Sequence, residues 1–96
     1  MKYISTRGQA PELTFEDAML TGLARDGGLY VPAEIPQMSQ DDIAALAGLS
    51  YEETAFRVMR PFLGDCFTDE EFRAIIARAY QGFGHAARAP LKQLAP

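Results

Sequence analysis

Apolar residues recur along the chain at spacings that divide it into short elements. Phe15, Ala18, Met19 and Leu23 stand at i, i+3, i+4 and i+8, one face of a helix. Thr14 precedes them with Asp17 three residues on, so a hydroxyl can accept from a free amide of the first turn. Tyr51, Ala55, Val58, Met59 and Phe62 form a second buried stripe, opened by Ser50 and Glu53 at full capping-box spacing. Phe72, Ile75, Ile76 and Ala79 form a third, opened by Thr68 and Glu71, with Phe67 and Phe72 at the two positions of a hydrophobic staple. Ser39, with Asp41 and Asp42 near the positive helix end, predicts a shorter helix through Leu46.

Two segments carry strand patterns instead. Lys2 to Thr6 alternates and is rich in Tyr, Ile and Thr, and Leu29-Tyr30-Val31 is closed by Pro32. The two are expected to pair. Arg7 to Pro11 breaks the first strand, and Asp26-Gly27-Gly28 is a strong turn signal after the first helix. Pro61 lacks an amide donor, so the helix opened by Ser50 should kink or end near Arg60. Gly82 and Gly84 end the last helix, and Pro90 to Leu94 reads as extended. The predicted fold is α+β and mainly α: four helices with a small two-stranded sheet near the N-terminus.

Ninety-six residues fit one small domain and leave no room for two. A net charge of -4 excludes the clustered basic footprint that nucleic acid requires. The charge is uneven: residues 37–82 hold eight acids and four bases, while residues 83–96 hold no acid but contain His85, Arg88 and Lys92. That tail reads as a solvated linker. Cys66 is the only cysteine, which excludes an internal disulfide and suits a reducing compartment. No apolar signal segment follows Met1, and no run approaches the roughly 20 apolar residues of a membrane helix. A cytoplasmic protein without a membrane partner is expected.

Few residues carry chemistry by themselves. His85, the only histidine, has no spaced ligand or carboxylate partner, and no metal site is expected. Glu52-Glu53 and Asp69-Glu70-Glu71 sit in first helical turns, where capping accounts for them. Asp26-Gly27-Gly28 follows a helix and opens a strand, the reverse of a phosphate-binding loop, so it reads as a turn. Ser5-Thr6-Arg7-Gly8 leaves two readings open. It is a strand end with exposed polar residues, or a site where two hydroxyls and a guanidinium hold a phosphate or carboxylate.

Several stretches together resemble one family. They are Tyr3 to Gly8, Phe15 to Ala18, the run Gly22-Leu23-Ala24-Arg25-Asp26-Gly27-Gly28-Leu29-Tyr30-Val31-Pro32, Glu34 to Pro36, and Leu49 to Tyr51. With Arg88 to Leu91, they resemble the N-terminal domain of threonine synthases of the yeast and enterobacterial type, in the pyridoxal-phosphate-dependent fold type II family. The resemblance implies a carbon–oxygen lyase that converts O-phosphohomoserine and water into threonine and phosphate. It also implies a cofactor lysine in a serine-phenylalanine-lysine-aspartate motif and a glycine-rich loop for the cofactor phosphate. Neither motif occurs here, and the lysines are Lys2 and Lys92.

The expectation is therefore an N-terminal domain over 1–86, with 87–96 the start of a linker or strand into a pyridoxal-phosphate-binding catalytic domain. That domain would be its partner and would hold the cofactor. This stretch alone is expected to be inactive, with no catalytic, cofactor-binding or metal-binding residue. Ser5, Thr6 and Arg7 are its candidate substrate-binding residues. The alternative is a stand-alone, non-enzymatic helical interaction module. A small self-contained enzyme is opposed by the absence of a paired nucleophile and base.

Overall fold

The structure is a computed structural model and describes residues 1–96. Two strands, β1 (Tyr3–Ser5) and β2 (Tyr30–Pro32), pair antiparallel, with Tyr3 opposite Pro32, Ile4 opposite Val31 and Ser5 opposite Tyr30. Pro32 closes β2, where its missing amide costs the ladder nothing. The pairing continues beyond the strands: the Thr6 amide donates to the Leu29 carbonyl at 2.8 Å, and the Ala33 amide to the Lys2 carbonyl at 2.8 Å. Helix α1 (Phe15–Thr21) connects the strands, and α2 (Gln40–Ala44), α3 (Tyr51–Met59) and α4 (Asp69–Tyr80) follow. The α+β, mainly helical architecture with four helices and one two-stranded sheet is thus observed.

The helix starts follow the capping residues. Ser39 with Asp42, and Thr68 with Glu71, form reciprocal boxes in which each side chain accepts from the other residue's amide. Thr14 accepts from the Asp17 amide and Ser50 from the Glu53 amide. The box expected at Ser50 has only this one limb. The Glu53 carboxylate turns instead to α4, accepting from Arg73 at 3.1 and 3.3 Å, with Arg57 at 3.5 Å. Two cations outcompete one amide for it. Helix α2 stops at Ala44, two residues before the expected end. Pro61 ends α3 as expected, and residues Arg60–Phe62 form a single 3-10 turn.

The core consists of Phe56, Leu63, Phe72 and Ile76, with Phe15, Ala55, Phe67 and Tyr80 packed against it. Phe67 stacks on Phe72 with ring centroids 6.2 Å apart, so the staple residues meet. The buried face of α3 differs from the expected stripe. Phe56 is its buried residue, whereas Val58 and Met59 are 41% and 42% exposed. Helix α4 packs on the side that carries Phe56 and, through Tyr80, on Tyr51 with ring centroids 5.0 Å apart, which leaves Val58 and Met59 open. On α4, Phe72 and Ile76 are buried while Ile75 and Ala79 are exposed. The apolar face predicted for α1 is likewise open: Ala18 is its only buried residue, and Met19 and Leu23 stand in solvent.

Tyr3 joins the sheet to the helices. Its ring meets Phe15 edge-on with centroids 5.9 Å apart, and its hydroxyl donates to the Phe62 carbonyl at 2.6 Å, 59 residues away in sequence. The acid-free tail is not wholly solvated. Arg88 pairs with Glu52 of α3 and donates to the carbonyls of Phe83 and His85. Beyond it, Leu91 and Leu94 are fully exposed. No helix is long and apolar enough to cross a membrane.

Candidate functional site

Strand register builds the most structured polar site on the molecule. Because Ser5 pairs with Tyr30, the residues after Ser5 run beside those before Tyr30, and Ser5-Thr6-Arg7 faces Asp26-Gly27-Gly28. The Ser5 hydroxyl lies 2.8 Å from each carboxylate oxygen of Asp26 and donates to them, and it accepts from the Arg7 amide. The carboxylate also accepts from the Gly28 and Gln9 amides, both at 2.9 Å. Ser5 is buried and Asp26 half-buried. The Gly28 amide above all, with the Ser5 hydroxyl, the Gln9 amide and the Arg7 charge, holds the Asp26 carboxyl below the ordinary carboxylate range, against opposing desolvation.

Conformation favours glycine at Gly27, and space favours it at Gly28. Gly27 has φ +84°, and a Cβ there would lie 2.7 Å from Arg7 Nη1. A Cβ on Gly28 would lie 2.5 Å from Ser5 Oγ and 2.9 Å from Thr6 Oγ1. Thr6 and Arg7 thus pack directly onto the turn.

The three sequence candidates differ in what remains free. Ser5 is committed to Asp26. The Thr6 hydroxyl accepts from the Leu29 amide at 3.0 Å. Arg7 donates one bond, from Nη1 to the Asp26 carbonyl at 3.1 Å, and takes part in none of the five ion pairs. It is exposed, so the rest of its donor fork faces solvent. Asp26 is the member of the site that sequence reasoning missed. Asp-Gly-Gly reads locally as a turn, and only the Ser5–Tyr30 register reveals what the carboxylate holds.

Other groups stay apart from this cluster. Lys2 pairs with Glu12 at 3.5 Å in open solvent, and Lys92 stands in the exposed tail. Neither has the enclosed surroundings that activate a Schiff-base lysine, so these residues do not fit a pyridoxal-phosphate site. Exposed His85 accepts the Ala87 amide on Nδ1. Burial, then the charges of Glu16 and Glu71, push the Cys66 thiol up, which favours its protonated form at neutral pH. No three His, Cys, Asp or Glu residues group as a metal site.

Comparison with known proteins converges on one family. The family model described as "Threonine synthase N terminus" matches residues 2–80. The threonine synthase of Pseudomonas aeruginosa is 55% identical over 94 residues, which cover 98% of this chain and 20% of that protein. That of Methylobacillus glycogenes is 42% identical over 90 residues, 94% of this chain and 19% of that one. Among solved structures, a PLP-bound threonine synthase from Brucella melitensis superposes with a TM-score of 0.91 at 52% identity, covering 97% of this chain and 20% of that one. The chain spans about a fifth of the length of these relatives. It shares their fold almost end to end, and it belongs to the threonine synthase N-terminus family.

Proposed function

We propose that the chain is the N-terminal domain of a longer threonine synthase, a lyase that converts O-phosphohomoserine and water into threonine and phosphate in the cytoplasm. The reading rests on the family match over residues 2–80. In it, residues 1–86 are the domain and 87–96 begin the connection to a catalytic body. The pyridoxal 5′-phosphate of the reaction would be held by that body, because Lys2 and Lys92 do not suit it.

Ser5, Thr6 and Arg7 form the substrate-facing edge of this domain. Within it the roles divide. Arg7, with its free donors, contacts the phosphate or carboxylate of the substrate. Ser5 and Thr6, committed to Asp26 and Leu29, hold the loop that presents it.

The test is expression of the longer reading frame and assay of phosphate release from O-phosphohomoserine. Arg7→Ala in that enzyme should lower kcat/KM roughly tenfold or more, the cost of one charge-assisted bond. Unchanged kcat/KM and KM would remove Arg7 from the substrate site. Absence of phosphate release by the parent enzyme would remove the activity itself.

A further inference from the structure

The open face of α1 forms one wall of a groove of about 500 Å³, whose other wall is β2 and the residue before it. Met19 and Leu23 line the helix side, Leu29 and Val31 the strand side, with Gly22 between them. Leu23 is 67% exposed, Leu29 58% and Met19 54%. No charged side chain lines it. A contiguous apolar surface of this kind on so small a body signals a covering partner.

We infer that this groove is the face on which the domain docks against an apolar surface of the catalytic body, supplied by the same polypeptide after residue 96. The inference rests on the proposal above only in placing the chain within a longer polypeptide. Two observations select the occupant. The first is length: relatives that align along nearly the whole chain are about five times as long, so some four-fifths of each lies outside this region. The second is position. Leu29 directly follows Gly28 and accepts from the Thr6 amide, so the groove and the Ser5–Asp26–Arg7 cluster share one sheet end. A body seated in the groove lies beside Arg7. Docking therefore brings Arg7 to the boundary between the two units, where a residue of this domain can reach a ligand that the other unit holds.

The experiment uses the full-length polypeptide with photoreactive p-benzoylphenylalanine in place of Leu23, and a control with the same group at Ile75. Ile75 is exposed on α4, outside the groove. Cross-links from position 23 to peptides C-terminal to residue 96 of the same molecule are expected, with a yield roughly tenfold above position 75, as burial of one site and exposure of the other implies. Cross-links to a second copy, or equal yields at the two positions, overturn the inference. Leu23→Asp supplies an independent reading, since so exposed a residue can change without loss of core packing. It should raise the rate of proteolysis within residues 81–96 roughly tenfold through undocking, while Ile75→Asp stays near the parent rate. Parent-like proteolysis of Leu23→Asp overturns docking. Intact cross-linking in a polypeptide that releases no phosphate supports docking and removes only the activity.

Discussion

The Ser5 hydroxyl holds the Asp26 carboxylate by both oxygens at 2.8 Å, across 21 residues of sequence. With the Gly28 and Gln9 amides it surrounds the carboxylate with donors, and this turns a Gly-rich corner into a fixed platform under Arg7.

Asp26→Asn should therefore show a pH-dependent loss of stability. The folded-state pKa of Asp26 lies below its unfolded value, so its ionised form stabilises the fold fully above about pH 4. As pH falls, the unfolded chain takes up a proton that the folded chain resists, and this contribution disappears through the lowered folded pKa. The gap in urea midpoint between parent and Asp26→Asn should be widest at pH 7 and narrow toward pH 3. A gap that stays constant across that range would deny Asp26 the role of charged hub.

Gly28→Ala tests the same platform by space instead of charge. Its Cβ would come 2.5 Å from Ser5 Oγ and 2.9 Å from Thr6 Oγ1. Forcing a methyl into packed atoms costs about 1–3 kcal/mol. Gly82→Ala, where a Cβ meets nothing within 4 Å, should cost less than about 1 kcal/mol and serves as the control. Equal denaturation midpoints for the two variants would contradict the packing described.

The corner and the helices were legible in the sequence to different degrees, and distance explains why. The caps at Thr14, Ser39, Ser50 and Thr68 depend on atoms three residues away, so the sequence locates them. Pro61 ends α3 through its own ring and missing amide. The β1–β2 pairing follows from strand pattern and the turn. Burial is different, because it is decided by partners. Val58 and Met59 share a helical period with Tyr51 and Ala55, yet α4 meets α3 through Tyr51, Ala55 and Phe56 and leaves the other two open. Glu53 has box spacing, yet Arg73 captures it from another helix. Met19 and Leu23 have core spacing, yet no element within residues 1–96 packs over them. The role of Asp26 depends on Ser5 standing opposite Tyr30, a register between residues 25 apart in sequence that no local pattern specifies.

The corrected face of α3 yields a contrast in stability. Phe56→Ala removes a buried ring that packs on Phe72 with centroids 5.8 Å apart, and should cost about 3–5 kcal/mol. Met59→Ala removes a side chain that is nearly half in solvent, and should cost less than about 1.5 kcal/mol. Urea denaturation separates the two outcomes. A larger loss at Met59 would restore the stripe expected from periodicity alone.

Tyr3→Phe isolates the bond between the sheet and the helical half. The ring keeps its edge-on packing against Phe15, and only the donor to the Phe62 carbonyl is lost. The net loss should be about 1 kcal/mol, with the added cost of a carbonyl that loses this donor. Amide exchange should rise at Leu13 and Ala33, whose amides bond the carbonyls of Tyr3 and Lys2. A stability loss without that local exchange would mean that the bond strengthens the helical half alone.

Arg88 makes the tail prediction. Its backbone is left-handed at φ +60°, a conformation rare outside glycine. The Glu52 pair and the bonds to the Phe83 and His85 carbonyls hold it there. The Glu52 carboxyl is itself held below its ordinary range by its own backbone amide and then by Arg88, so the anchor is lost as pH falls through that lowered value, not as pH rises. Arg88→Gly relieves the backbone and removes the side-chain anchor, whereas Glu52→Gln removes only the charge. Both should speed protease cleavage between residues 81 and 96 at pH 7, and added salt should bring the parent part of the way toward Glu52→Gln because a pair one-quarter exposed is partly screened. If cleavage is unchanged in Glu52→Gln but faster in Arg88→Gly, the carbonyl bonds rather than the ion pair fasten the tail.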